Sequence, residues 1–454
     1  MSVLPSLRTH QHRAPGLAEL RTMLAMRAIS AVAVTEQALE TAEHCKRDVN
    51  AFAALDHAGA LAAASESDRR IANGTARLLE GLPIAVKDLI DTKDVETCYG
   101  AATYRGNVPT VDADIVRALS AQGAVIIGKT TTHEFAWGVT TESEAFGDTL
   151  NPLDPSRIPG GSSGGMAAAI AYGAVMAGVG TDTGGSVRIP AALCGVVGFK
   201  PTWGRLSTRG VFALAPSCDH VGWLGREVSD VRLLASALDI TSPDSDVRTS
   251  LRLGVIREIA PVPLSAGVGE AFDSATARLQ LAFPCIPIDT SGLFDGACDA
   301  FACIVLVEGG IEHFRRNDWA RIVASYGAQT VDRLTRARAM RLAAYADAQQ
   351  SRRQFAARLH AAMADIDYLL LPTCPCVAPV RHSEEVSIGA WSGTLREALM
   401  TYTAPFNLAG FPAISIPLPA TAGALPAAMQ IIGKPGDDGG LLQIAQQVAS
   451  VIGA

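Results

Sequence analysis

The chain has 454 residues, of which 48% are hydrophobic and 18% charged, a balance that suits a folded enzyme with a large core and excludes intrinsic disorder. Its formal net charge of −7 gives no support to nucleic acid or an anionic membrane surface as a partner. The nine cysteines are scattered without zinc-type spacing and read as reduced thiols of a cytoplasmic protein.

Residues 1–16 are polar and proline-bearing, with no apolar signal region, and read as a flexible N-terminus. Residues 17–66 carry helical spacing. Residues 82–90 form a short apolar strand that carries Lys87. Ile115–Ser120 reads as helix and Ala124–Ile127 as a buried strand. Three prolines in 151–159 rule out a central strand there. Met166–Tyr172 follows a glycine loop and reads as a buried helix, too short to span a membrane, with a strand at Val175–Gly180. This alternation predicts an α/β sheet covered on both faces.

The segment 240–385 changes character. Arg252–Ile256 reads as a strand, and Arg333–Met363 as a long helical region whose arginines form a solvated face rather than a nucleic-acid site. Tyr368–Leu371, Ala413–Pro417 and Met429–Ile432 return to the sheet. Cys374-Pro-Cys376 reads as the loop after Tyr368–Leu371 rather than a metal or redox pair. The expected organisation is a single catalytic domain over 17–454 with 240–385 as an inserted helical cap.

Two motifs mislead. Gly123 to Thr130 fits a phosphate-loop pattern, but its middle is Ala-Val-Ile-Ile, which favours a buried strand over an anion-binding turn. Gly161 to Gly165 fits a nucleophile elbow with Ser163 at its centre. An elbow follows a strand directly, and the prolines before it argue against one. His220, His313, His360 and His382 lie downstream, so a Ser-His hydrolase using Ser163 stays open as an alternative.

A third reading uses Lys87, the run Gly160-Gly-Ser-Ser-Gly-Gly165, and the run Gly180-Thr-Asp-Thr-Gly-Gly-Ser186-Val-Arg188-Ile-Pro190. With Gly195-Val-Val-Gly-Phe-Lys200-Pro201-Thr202, these blocks closely resemble the amidase signature family. Matching features run from about Val49 to Leu224 and from Thr403 to Pro435. The resemblance implies a large mixed central β-sheet covered by helices on both faces. It implies that Ser186 is the acyl-accepting nucleophile, that Ser162 is a bridging serine after a cis peptide bond, and that Lys87 is the base.

A lysine base must be neutral part of the time, and burial away from carboxylates lowers its ordinary pKa of about 10.4. Asp88 is adjacent, but neighbours on a strand face opposite ways. The backbone N–H groups of Thr183, Gly184, Gly185 and Ser186 are the expected oxyanion hole. Ala136, Trp137 and Arg188 are candidate substrate-binding residues. Arg188 reads first as a structural ion-pair partner of Asp182 or Asp219, and Trp137 reads equally as core.

Met166, Trp223 and Ile189 depart from the family pattern, and Ile189 stands where transamidase-type members carry glutamine. The reading that results is a soluble amidohydrolase, monomer or homodimer, that cleaves a C–N bond of a small-molecule amide or carbamate, with urea-like bonds open. It requires no metal or organic cofactor. The alternative within the family is a transamidase-type subunit that generates ammonia in a multi-subunit complex.

Overall fold

The computed structural model describes residues 16–240, 251–420 and 423–454. The expected flexible N-terminus therefore lies outside the described residues, save Gly16, which precedes helix Leu17–Ala25.

Eleven strands form one mixed sheet. They are β1 (Phe52–Leu55), β2 (Pro83–Lys87), β3 (Val125–Thr130), β4 (Ala177–Asp182), β5 (Val197–Lys200), β6 (His220–Gly225), β7 (Leu253–Val255), β8 (Cys285–Pro287), β9 (Tyr368–Pro372), β12 (Ala413–Pro417) and β13 (Ala428–Ile432). The remaining two, β10 (Glu385–Ile388) and β11 (Trp391–Thr394), make a separate hairpin. The sheet order is β1-β3-β2-β4-β6-β5-β12-β13-β9-β7-β8. β2 runs parallel to β3 and β4, β7 runs parallel to β8 and β9, and the strands between pair antiparallel.

Strand alternation divides the apolar side chains between two cores. On β9, Tyr368 and Leu370 enter one, and Leu369 and Leu371 the other. The first core packs under helices Ala31–Val49, Gly164–Tyr172 and Asp438–Ile452, through residues such as Leu39, Ile170 and Ile444. The second packs under helices Ala297–Arg316, Leu342–Ala362 and Leu395–Thr401, through Ile304, Phe355 and Leu399. Helices on both faces of a mixed sheet are what the sequence leads one to expect.

The details depart from expectation in two places. Among its described residues, segment 240–385 holds five helices and the expected strands β7 and β9, and it adds β8, which no sequence signal marked, at the edge of the sheet beside β7. The helical region 333–363 is broken: one helix spans Ala328–Arg338, a second spans Leu342–Ala362, and Arg341 between them is extended. Both pack on helix Ala297–Arg316, and the break lets the chain turn back along it. The phosphate-loop lookalike is strand β3, with Lys129 buried and bonded to the Ile90 carbonyl, Thr92 and Thr97.

Parallel pairing places the C-terminal ends of β2 and β4 at the same edge of the sheet, with Ala85 opposite Gly178 and Val86 opposite Val179. Lys87 ends β2 and Asp182 ends β4. In α/β sheets the crevice beyond such ends is the usual ligand site.

Candidate active site

Lys87 is the last residue of β2 and meets the loop that precedes helix Gly164–Tyr172. Its ammonium nitrogen lies 2.7 Å from Ser162 Oγ and 2.7 Å from Thr181 Oγ1. The lysine is fully buried, and no carboxylate among the described residues touches it. Burial pushes its pKa down to about 7, against the pull of Asp182 and Asp219. Asp88 faces elsewhere: its carboxylate accepts the N–H groups of Cys98 and Gly100.

The Gly161–Ser162 peptide bond is cis. Ser163 caps helix Gly164–Tyr172, and its N–H donates to the Ser186 carbonyl at 3.1 Å, which ties the two serine loops together. Glycine is needed at 165 because an added Cβ would sit 2.3 Å from Thr131 Oγ1 and 2.6 Å from the Thr131 backbone.

Ser186 is 7% exposed, and its hydroxyl has no hydrogen-bond partner among the described residues. Asp182 shapes its loop. The carboxylate accepts N–H bonds from Gly185 (2.7 Å), Val187 (3.1 Å) and Arg188 (3.4 Å), and a side-chain amide bond from Asn407 at 2.8 Å. Arg188 closes on the same carboxylate through Nε and Nη2, both at 3.1 Å. Burial opposes the Asp182 charge, but Arg188 and Lys200 outweigh it and hold the carboxyl below the usual range. Thr183 is fixed separately by Asp219, at 2.6 Å.

Two expectations change here. The Gly185 N–H is committed to Asp182, which leaves Thr183, Gly184 and Ser186 as the N–H groups around the nucleophile loop without such a partner. Arg188 does not reach substrate space. It is fully buried, and its nitrogens are engaged by Asp182, Gln430, Asn407 and the Thr403 carbonyl.

Ser186, Thr183 and Gly184 line a cavity of about 20 Å³, with Ala136, Trp137 and Arg396 also in its wall. Ile189, Leu214, Phe301, Val305 and Met400 make the rest of that wall apolar. Space of that size holds about one water molecule. Trp137 stacks on His313 (5.8 Å, 8°) and Arg333 lies over its ring, so the tryptophan is both core and cavity wall. Phe135 and Ala136 take left-handed φ values of 50° and 58°, a strained turn at the cavity edge. That wall is shared with a cavity of about 380 Å³ through Trp137, Phe301, Val305, Met400 and Arg396, and with one of about 750 Å³ through Gly138, Val139 and Arg396.

Sequence reasoning missed Thr181, Asn407 and Arg396. Thr181 lies inside the glycine run already singled out, whereas Asn407 and Arg396 are brought in from more than 200 residues away.

The Ser-His alternative finds no partner. Ser163 Oγ bonds the Thr181 carbonyl, and no hydrogen bond joins it to a histidine. His220 is bonded to the Cys218 carbonyl and to Lys200, His313 lies in the aromatic cluster, His360 stands against Phe411, and His382 pairs with Asp148. Glu142, Asp148 and His382 approach one another as metal ligands do, but Arg381 completes that group as an ion-paired cluster. No helix among the described residues is long and apolar enough to cross a membrane.

This fold and site are those of an enzyme that acts on C–N bonds. The amidase family profile matches residues 33–442, and the chain belongs to that family, the amidase signature enzymes. A glutamyl-tRNA(Gln) amidotransferase subunit from Anaeromyxobacter sp. (strain K) is 35% identical, covering 96% of this chain and 96% of that protein. A crystal structure of an amidase superposes with a TM-score of 0.90 at 33% identity, covering 96% of this chain and 100% of that one. A structure described as an unexpected vestigial protein complex, revealing the evolutionary origins of an s-triazine catabolic enzyme, superposes at 0.87 and 32% identity, covering 96% and 98%.

The buried Asp182–Arg188 pair generates a stability prediction. Arg188→Ala leaves an unpaired buried carboxylate and should lower unfolding free energy by ~3–5 kcal/mol. Urea denaturation checks this, and a loss below ~1 kcal/mol would contradict a structural role.

Proposed function

We propose that the protein is an amidohydrolase working through an acyl-enzyme on Ser186. The observation that carries this is the contact of a desolvated, carboxylate-free Lys87 with Ser162, beside a serine set among backbone N–H groups. Neutral Lys87 takes the Ser162 proton while Ser162 takes that of Ser186. The Ser186 oxygen bonds the amide carbon, and the N–H groups of Thr183, Gly184 and Ser186 receive the developing oxyanion. The C–N bond then breaks as the proton returns along the same path to the leaving nitrogen. Water adds to the acyl-enzyme and releases the acid. The relay requires the Ser162 and Ser186 hydroxyls to close to hydrogen-bond distance once substrate fills the cavity. Amides and carbamates both suit this chemistry, and no step calls for a metal or organic cofactor.

A second reading is supported by the curated relatives: the glutaminase part of a transamidase, handing ammonia to partner subunits. Glutamine carries an α-ammonium, and the adjoining cavity long enough to hold it sets Arg396, Arg333 and Arg336 against one carboxylate, Glu397. A buried cation without a partner is costly. That weighs toward the first reading. The isolated protein should release ammonia from simple amides without ATP, tRNA or a partner. Turnover only of glutamine, and only in a complex, would reverse the choice.

Ser186→Ala should lose labelling by a fluorophosphonate and lower turnover by ~10³-fold or more. Labelling that persists there and vanishes in Ser163→Ala would place the nucleophile at Ser163.

The pH profile follows from Lys87. Its neutral form is the active one, so activity falls as pH drops through about 7 and levels above it. Lys87→Arg should not restore turnover, because arginine stays charged. A profile flat across that region, or an active Lys87→Arg variant, would remove Lys87 from the chemistry.

A further inference from the structure

Arg396 is the one charged side chain in the wall of the cavity at Ser186. It also lines the two larger cavities that share its wall, where Arg333 and Arg336 join it. Among the described residues, neither the Arg396 nor the Arg336 guanidinium has an ion pair or hydrogen bond with the protein. Arg333 bonds the Trp137 carbonyl and Gln329 but meets no carboxylate directly. In the cavity of about 380 Å³ these three guanidinium groups face a single carboxylate, Glu397. Its Oε2 accepts the Thr394 N–H and hydroxyl, both at 2.9 Å, and no ion pair joins it to the arginines among the described residues.

The cavity of about 750 Å³ also carries Glu142, Asp332 and Glu384, and Asp332 acts on Arg333. None of the three has an ion pair with Arg396 or Arg336 among the described residues. Burial and the charges of Arg333 and Arg336 lower the Arg396 pKa to about 10, so it remains a cation at neutral pH. Holding like charges together around a half-buried guanidinium is unfavourable unless an anion completes the set. Arginine is also the side chain whose planar fork matches a carboxylate.

We infer that the substrate is an amide bearing a carboxylate but no ammonium beside it, bound through Arg396 with Arg333 and Arg336 at the entrance. This rests on the reading of Ser186 as the acylated residue. The apolar walls around Ser186, from Leu214, Phe301, Val305 and Met400, contact the uncharged part of the molecule. The carboxylate sits either on the acyl side of the scissile bond or on the amine side.

The test is competition against labelling of Ser186 by a small neutral fluorophosphonate. On the acyl side the competitors are succinamate, glutaramate and adipamate, with butanamide, pentanamide and hexanamide as uncharged counterparts. On the amine side they are N-acetyl-β-alanine and N-propylacetamide. At least one anionic amide should protect at a concentration ~10-fold or more below its neutral match, the scale of a charge-assisted contact. Arg396→Gln should bring that pair within ~3-fold, and Arg396→Lys should keep part of the gap. In the unsubstituted protein, added salt should narrow the gap as well, which tests the charge without any substitution.

Glutamine should protect less well than glutaramate, from which it differs by the ammonium alone. Equal protection by every matched pair, an unchanged gap in Arg396→Gln, or glutamine equalling glutaramate would overturn the inference. A wild-type protein that is not labelled at Ser186 would instead overturn the acyl-enzyme reading beneath it.

Discussion

The structure around the site depends on one buried carboxylate. Asp182 stands at the end of β4, where the chain leaves the sheet and bends back over it. Such a bend strands several N–H groups away from water, and each needs an acceptor. Asp182 receives those of Gly185, Val187 and Arg188. A bare carboxylate at that depth is itself costly, and Arg188 and Asn407 complete it. The loop carrying Ser186 is therefore held by charge and hydrogen bonding rather than by apolar packing. Gly185 fits inside the loop because its φ is +129° and an added Cβ would lie 2.3 Å from Thr403 Oγ1.

The same carboxylate sets a limit on Lys87. A lysine in this interior is pushed toward neutrality by lost hydration and back toward the cation by nearby negative charge. Arg188 stands directly on Asp182, so much of that negative field is already neutralised before it reaches Lys87. The remaining pull of Asp182 and Asp219 is smaller than the effect of burial. One ion pair thus fixes the serine loop and spares the lysine a full counter-charge. Lys129, on the neighbouring strand β3, is also lowered by burial, to about 8, but its amine is tied into the turn at Ile90, Thr92 and Thr97 rather than set against a serine.

Charge in the surrounding cavities follows a different logic. Near Ser186 the walls are apolar, which strengthens every electrostatic contact made there. Arg396 interrupts that lining, and the helix that carries Arg333 and Arg336 adds to the positive field. These groups come from helices Leu395–Thr401 and Ala328–Arg338, outside the strands and loops that hold the serines and the lysine. Reaction chemistry and substrate choice are therefore carried by different parts of the chain, a division common to folds that host many reactions.

Much of this was legible in the sequence. Strand and helix periodicities placed β2, β4, β9, β12 and β13, because their apolar runs are bounded by glycine and proline. Lys87, Ser162 and Ser186 stood out because glycine-rich runs mark places where backbone must approach a reacting atom, and the resemblance to one family put the three together. Within 240–385 the sequence marked β7 and β9 but not β8, which is three residues long, ends in proline and carries little periodic signal. It left Arg188 open between substrate and ion pair. Only the fold decided that, by burying it against Asp182 and by bringing Asn407 and Gln430 to its other nitrogens. It read the arginines of 333–363 as a solvated face. The tertiary structure turned Arg333 and Arg336 toward Arg396 around one cavity, because a helix pattern records which residues share a side and not what that side meets across space.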